Sequence, residues 1–308
     1  MTTKIENYLK SCKSKGATKS SISNYSSDLK TWIEFNNNKM NSIYNNDNFE
    51  KYIYHLSDFK KYSQNTIRRK IQTLRLYLDY LVKVQEIQEH HLPLQGSFFK
   101  EVLPPKCSEF HAISLSWQYL CDQLNFKDNF ENILATRNLI LFLLIYQYGL
   151  QVSHLIKLTR EDFNLDYSQF EISFKNKSKT FKSSPLLILL LSEFQKAVKK
   201  ISIPSQQSYL FVSANKYKIL NSSITSRAIE LIFKNLSKSL NISISARELR
   251  NSCIIYWMQE GILDYEIIER LGLSKKYDLK RYKDITDLNV YSSEFLNEFY
   301  QLKTKGRS

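Results

Sequence analysis

Apolar residues recur at helical spacing through most of the chain and alternate only briefly. Ile5, Tyr8 and Leu9 make one short apolar face. Ile22, Tyr25, Leu29, Trp32 and Ile33 repeat every three to four positions, which predicts a helix over 20–35 with Ser21 as candidate cap. A shorter helix is predicted over 48–56. The strongest periodicity runs from 65 to 84, with Ile67, Ile71, Leu74, Leu76, Tyr77, Tyr80 and Leu81 inward. Arg68, Arg69, Lys70 and Arg75 fall on the rest of that helix. The first 90 residues carry no strand signal and read as a small helical domain with a basic side.

Pro93, Gly96, Pro104 and Pro105 then break the periodicity, and 91–112 reads as an inter-domain linker. Beyond it, helices are predicted over 115–124, 129–148 and 152–158. A hairpin follows at 169–174 and 179–183, joined by a turn rich in Lys and Asn. Pro185 suits the first position of the next helix. A short strand is expected over 209–212 and helices over 223–240, 246–260 and 265–271, with Gly261 and Gly272 where C-caps are wanted. Phe295, Leu296, Phe299 and Tyr300 give a last amphipathic helix over 292–302. The pattern predicts a mainly α fold with a small β-hairpin (α+β), a second domain over 113–290 and a C-terminal helix or tail over 291–308.

Charge adds a partner to this picture. Lys and Arg outnumber Asp and Glu by 44 to 30 in 308 residues, a net +14, which suits a polyanion. Cysteine and histidine remove other chemistries. Cys12, Cys107, Cys121 and Cys253 lie far apart with no CxxC pair, which argues against a zinc ribbon or a disulfide framework and fits reduced thiols in the cytoplasm. His55, His90, His91, His111 and His154 are the five histidines, so the C-terminal half has none to use as acid, base or ligand. The start lacks the apolar core of a signal peptide, and no apolar run is long enough for a bilayer, so no membrane partner is expected.

Three segments of the second half resemble the tyrosine recombinase (phage integrase, Xer-like) family. ATRNLILFLLIYQYGLQVSHLIKLTREDF, residues 135–163, resembles its apolar helix, Gly-Leu-Arg turn and second helix. ISARELRNSCIIYWMQEGILDYEIIERLGL, residues 244–273, resembles the box that carries His-x-x-Arg and then Leu-Gly-His. Arg281-Tyr282 follows, its Tyr nine residues past Leu273, where the family places its nucleophile. The helices containing TKSSISNYSSDLKTW and SQNTIRRKIQTLRLYLDYL resemble the family's core-binding (SAM-like) domain. That resemblance implies a core-binding domain over 1–90 and a recombinase catalytic domain over 113–290.

The resemblance also implies a chemistry. A Tyr hydroxyl attacks a DNA phosphodiester and leaves a 3′-phosphotyrosine. Two Arg forks hold the charge that builds on the non-bridging oxygens. A hairpin Lys helps protonate the leaving 5′-oxygen, and His residues assist; neither metal nor nucleotide cofactor is used. Carried over position by position, the first Arg falls on Gln151, the boxed His on Arg247, the second Arg on Arg250, the later His on Leu273 and the nucleophile on Tyr282. The hairpin Lys is Lys175 when counted from Gln151 and Lys177 when counted back from Pro185. Arg68, Arg69, Lys70 and Arg75 are the expected DNA contacts of the first domain.

Each position also has a plain structural account: an interfacial aromatic at Tyr282, an ion pair at Arg250, a solvated turn at Lys175–Lys182, a helix start at Gln151. With three of six positions substituted, two functions stay open. One is a DNA-binding protein on a recombinase scaffold, acting in recombination or integration on a mobile element or plasmid with weak or lost strand transfer. The other is an active recombinase in which Arg247 supplies the charge that Gln151 lacks. Double-stranded DNA is the expected partner in both. Assembly as a homo-oligomer, such as a tetramer on DNA, or with a partner recombinase is open, and the apolar face at 295–300 is expected to dock on a neighbouring copy or, in the plainer reading, on its own domain.

Overall fold

The computed structural model describes residues 2–36, 46–92, 104–124, 130–174, 177–200, 209–214, 219–275, 277–283, 285 and 294–305. The chain forms two compact units, Met1–Val102 and Leu103–Ser308. Their boundary lies inside the 91–112 stretch.

The first unit is helical: α1 (Thr2–Ser14), α2 (Lys19–Phe35), α3 (Asn46–Tyr54) running into a π-helical turn at His55–Phe59, and α4 (Gln64–Lys83). Thr18, not Ser21, caps α2: its Oγ1 accepts from the Ser21 N–H at 3.1 Å. Trp32, Phe49, Tyr52 and Tyr77 fill the core, with Trp32 stacked on Phe49 and edge-on to Tyr52. Leu76, expected inward, is 39% exposed. At 100° per residue, a helix that buries Leu74, Tyr77, Leu78 and Leu81 turns position 76 outward.

Lys70 also departs from expectation. It is 5% exposed, with Nζ 3.1 Å from Asp28 Oδ1 and 2.9 Å from Thr31 Oγ1. Arg69 pairs with the same carboxylate, and Thr73 Oγ1 donates to it at 3.0 Å. A buried Asp28 must have its lone pairs filled, and the two cations and the hydroxyl do so. Lys70 is therefore an interior counter-ion and not a surface contact, and Arg69 is shared with that role. Arg68 and Arg75 are half-buried on the same helix.

The second unit is built around α6 (Phe130–Tyr148), buried on every side from Leu139 to Tyr146. That all-round apolarity marks a central helix. Around it pack α5 (Phe110–Asp122), α8 (Pro185–Lys200) and α10 (Ala246–Gln259). α7 is one turn, Val152–Leu155. β1 (Gln169–Phe174) and β2 (Lys177–Lys182) pair antiparallel, from Gln169 opposite Lys182 to Phe174 opposite Lys177. The second strand thus begins two residues before the expected 179. β3 (Val212–Ala214) and β4 (Ile219–Ser223) form another hairpin, and α9 (Ser226–Leu240) starts after it at the Thr225 cap. α11 (Asp264–Arg270), α12 (Lys280–Lys283) and α13 (Glu294–Lys305) complete the described chain.

α13 packs on its own unit. Leu296 and Tyr300 are buried, Trp117 Nε1 donates to the Leu296 carbonyl at 2.9 Å, and the Tyr300 hydroxyl donates to Glu193 Oε2 at 2.8 Å. Phe295 meets Phe110 edge-on at 5.1 Å. The apolar face expected to dock on a neighbouring copy is covered in cis. All four cysteines are free thiols. Among the described residues, no helix is long and apolar enough to cross a membrane.

Candidate active site

The site starts where α6 ends. Gly149 holds φ +63°, and a Cβ there would lie 2.8 Å from Leu271 Cδ2 and 3.1 Å from the Trp257 ring. Only glycine satisfies both the left-handed backbone and the close approach. The turn it makes aims its carbonyl at α10, where Arg250 Nε donates to it at 2.6 Å. Arg250 Nη2 is buried with no hydrogen-bond partner. Burial pulls the guanidinium's pKa down, and the Tyr282 side of its surroundings pushes it back up. A buried N–H left unpaired costs about 1–3 kcal/mol. An anion at Nη2 would recover it.

Gln151 follows two residues later and caps α7. Its side-chain Oε1 accepts from the Ser153 hydroxyl at 3.3 Å, its carbonyl accepts from the His154 N–H at 2.8 Å, and its own N–H donates to His154 Nδ1 at 3.4 Å. The carboxamide is thus used on the helix start. The His154 pKa is pushed down to about 4, first by burial, then by Arg250 and Lys157. The imidazole packs edge-on to Phe174 at 5.1 Å. His154 reads in the sequence as a satisfied partner on this helix; the Gln-x-x-His spacing is the capping signal that ties it to Gln151.

The other side of the cleft is the turn after α11. Gly272, φ +61°, lies so close to the end of β1 that a Cβ would overlap the Phe174 ring at 2.0 Å. Leu273 is half-buried beside it and donates its N–H to the Ile268 carbonyl at 3.0 Å. Between the two turns lies a cleft of about 630 Å³, lined by Gln151, His154, Lys157, Glu171, Phe174 and Leu273. The hairpin is held to α11 by Lys179 Nζ, 3.3 Å from Glu269 Oε1. Lys177 is exposed at the first position of β2; Lys175 lies outside the described residues.

Tyr282 sits on α12 and is 4% exposed. Its hydroxyl donates to Asn251 Oδ1 at 3.2 Å. Burial and the neighbouring Tyr277 push the phenol's pKa up, opposed by the charges of Arg250 and Arg281. Arg247 is exposed one turn before Arg250 on α10, and its charge acts on Arg250. The structure therefore brings Gln151 and Leu273 to one cleft. It places Arg250 within electrostatic reach of both His154 and Tyr282, and leaves Arg247 and Lys177 at the surface. Asn251, beside Arg250, carries no signal in the sequence that marks it out from any polar helix residue.

The comparisons agree with this architecture. A tyrosine recombinase XerD-like protein of Streptococcus sanguinis is 24% identical over 263 residues, covering 84% of this chain and 91% of that relative. Tyrosine recombinase XerA of Pyrococcus horikoshii is 24% identical over 259 residues, 79% of this chain and 82% of the relative. In fold, the chain is similar to the XerH site-specific recombinase bound to a palindromic difH substrate, with a TM-score of 0.69, 17% identity and coverage of 97% and 83% of the two chains. It is also similar to the Tn1549 transposon integrase in complex with transposon right-end DNA, at TM-score 0.66, 12% identity and coverage of 98% and 99%. The family model for the phage integrase family matches residues 122–288, from the end of α5 past Tyr282. The chain belongs to the phage integrase family.

Proposed function

We propose that this chain is a duplex-DNA-binding member of the family, acting in DNA recombination or integration on a mobile element or plasmid, with attenuated strand transfer. The observation that carries the attenuation is Gln151. The position that a phosphate-holding Arg would take is a neutral carboxamide whose oxygen accepts from the Ser153 hydroxyl in the first turn of α7. Removing one preorganised donor of transition-state charge costs about 10²–10³ in rate in comparable sites. Leu273, in the place of a His, contributes no proton chemistry.

The rest of the apparatus supports residual chemistry. Arg250 offers an unpaired, buried Nη2, the arrangement expected of a guanidinium that waits for a phosphate oxygen. Tyr282 is the nucleophile in this reading, and a hairpin lysine, Lys177 or Lys175, the donor to the leaving oxygen. Affinity comes from a net charge of +14, through phosphate contacts and counterion release. Arg68 and Arg75 remain the first unit's candidate contacts. The XerH and Tn1549 proteins were solved with DNA, which supports the same partner here.

One observation favours a second reading. Arg247 is exposed on the turn of α10 before Arg250, so a second guanidinium is available on that helix. If it reaches the phosphate, activity is retained.

The experiment is incubation with a nicked duplex that traps the covalent intermediate, followed by denaturing electrophoresis. Slow adduct formation that Tyr282→Phe abolishes, in a protein that binds duplex tightly, is the expected result. Adduct formation at the rate of a recombinase with both arginines overturns the attenuation and favours Arg247. A protein that binds no duplex overturns the reading as a whole.

A further inference from the structure

Asn251 touches two things at once. Its Oδ1 accepts from the Tyr282 hydroxyl at 3.2 Å, and its Nδ2 donates to the backbone carbonyl of Lys106 at 2.8 Å. Lys106 belongs to 104–109, the stretch by which the chain enters the second unit after the boundary at 102/103. That stretch is clipped to α10 again one residue on. Ser108 N–H donates to Ser252 Oγ at 2.9 Å, and Ser252 Oγ donates to the Ser108 carbonyl at 2.8 Å. Cys107 packs against the small apolar cluster that contains Tyr282 and Leu279. Asn251 is 7% exposed, so neither bond has water as a ready substitute.

The direction of the hydrogen bonds is forced. A carbonyl can only accept, so Nδ2 must face Lys106 and Oδ1 must face Tyr282. An amide oxygen cannot donate, so the phenol must. We propose that Asn251 is a positioning residue that couples the 104–109 segment to Tyr282, holding the phenol bound as a donor. The proposal rests on the reading of Tyr282 as the nucleophile. An amide oxygen is no base: it can hold the phenolic proton in place but not take it. Attack on a phosphorus needs the oxygen's lone pair and the loss of that proton. The bond to Asn251 therefore belongs to a resting state, and the carbonyl of Lys106 fixes the amide that makes it. An acceptor bound to the neutral phenol disfavours its ionisation, in the same direction as burial and Tyr277 and against the charges of Arg250 and Arg281.

The test reads Tyr282 directly. The full chain is made with 3-fluorotyrosine at 282, and its ionisation is followed by fluorine NMR. Asn251→Ala should lower the titration midpoint by roughly one unit, since the acceptor is lost. Asn251→Asp gives up the bond to the Lys106 carbonyl but should raise the midpoint, since an anion now faces the phenolate and outweighs that loss. Opposite signs are not expected of a residue that merely fills space. The double variant Pro104→Gly/Pro105→Gly loosens the segment without touching the amide. It should shift the midpoint in the direction of Asn251→Ala and add little on top of Asn251→Ala, because coupled changes are not additive. Equal midpoints in all four proteins, or a leash variant that leaves Tyr282 unmoved, overturn the proposal. In the adduct assay Asn251→Ala should form adduct several-fold faster than the parent. If no protein forms adduct but the midpoints move as stated, the reading of Tyr282 as a working nucleophile fails while the coupling stands. Circular dichroism on each variant identifies any that unfold, and Asn251→Asp, nearly isosteric, keeps the sign test available.

Discussion

The two walls of the site share one standard of construction and differ in chemistry. On the α10 and α12 side, Arg250 keeps a buried guanidinium with an unused N–H, and Tyr282 is seated against Asn251. On the side of the 149–154 turn and the 271–273 turn, the backbone is held just as closely: Gly149 lies against Trp257 and Leu271, and Gly272 under Phe174. Yet at Gln151, His154 and Leu273 this second wall presents no permanent positive charge, and Lys157 supplies the one that lines the cleft. The packing that shapes a site and the charges that work in it are therefore separable. The glycines answer to neighbours in the core, and Gln151 to the first turn of α7.

The largest effect should come from breaking the frame of the wall of Gln151 and Leu273. Gly272→Ala must accommodate a Cβ inside the Phe174 ring on a left-handed backbone. We expect a loss of about 2–5 kcal/mol, seen as a drop of many degrees in the second unit's thermal midpoint. An unchanged midpoint would mean that the 271–273 turn is not pinned by Phe174. Next comes the wall of Arg250. Arg250→Ala should reduce adduct formation on the nicked duplex by about 10²–10³ relative to the parent, while duplex affinity falls far less. A parallel fall in both would make Arg250 an ordinary phosphate contact.

Much of this frame was legible in the sequence, for a reason that the walls themselves illustrate. Periodicity of 3.6 over 65–84 and the unbroken apolar run in α6 are strong local signals, and both helices stand within a residue of their expected bounds. The glycines ahead of Gln151 and Leu273 were equally visible. What stayed hidden depends on partners far along the chain. Lys70 reads as a surface cation because Asp28, which draws it inward, is 42 residues away. Asn251 is bonded to positions 106 and 282, which no local window contains. β4 carries no strand signal of its own, and its last residue, Ser223, falls at the start of the helix expected over 223–240, since a five-residue strand with no alternation competes poorly with the helical pattern that follows at α9. Ser21 and Thr18 both suit a cap, and only the geometry of the first turn chooses between them.

A constructive change adds cationic and imidazole groups to the wall of Gln151 and Leu273. Gln151→Arg combined with Arg247→His and Leu273→His should raise adduct formation by roughly tenfold or more, because one such donor alone is worth about 2.7–4 kcal/mol. The three are changed together since groups that act as a unit are not additive. Gln151→Arg alone adds a guanidinium near Arg250 and Arg247, and with no phosphate present like charges repel. A triple variant that folds and binds duplex but forms no more adduct than the parent would show that this wall is not what limits the chemistry.

The smallest expected effect concerns His154, and its sign follows from the walls' proximity. Burial together with the positive charges of Arg250 and Lys157 lowers the imidazole's pKa from about 6.5 to about 4. In the unfolded chain the ring takes up a proton as the pH falls through 6.5; in the folded protein it waits until about 4. Between those values the unfolded state binds more protons, so stability rises with pH across that window and is lost as pH falls through it. Partial solvation of the ring reduces the contribution to about 1–2 kcal/mol. Urea midpoints at pH 7 and pH 4.5 should therefore differ more for the parent than for His154→Gln, which keeps a polar group at the third position of α7 but cannot titrate. Raising the salt concentration should narrow the parent's difference, since Arg250 and Lys157 act on His154 through charge. If His154→Gln shows the parent's full pH dependence, the ring is not held neutral between Gln151 and Arg250, and the two walls are electrostatically independent.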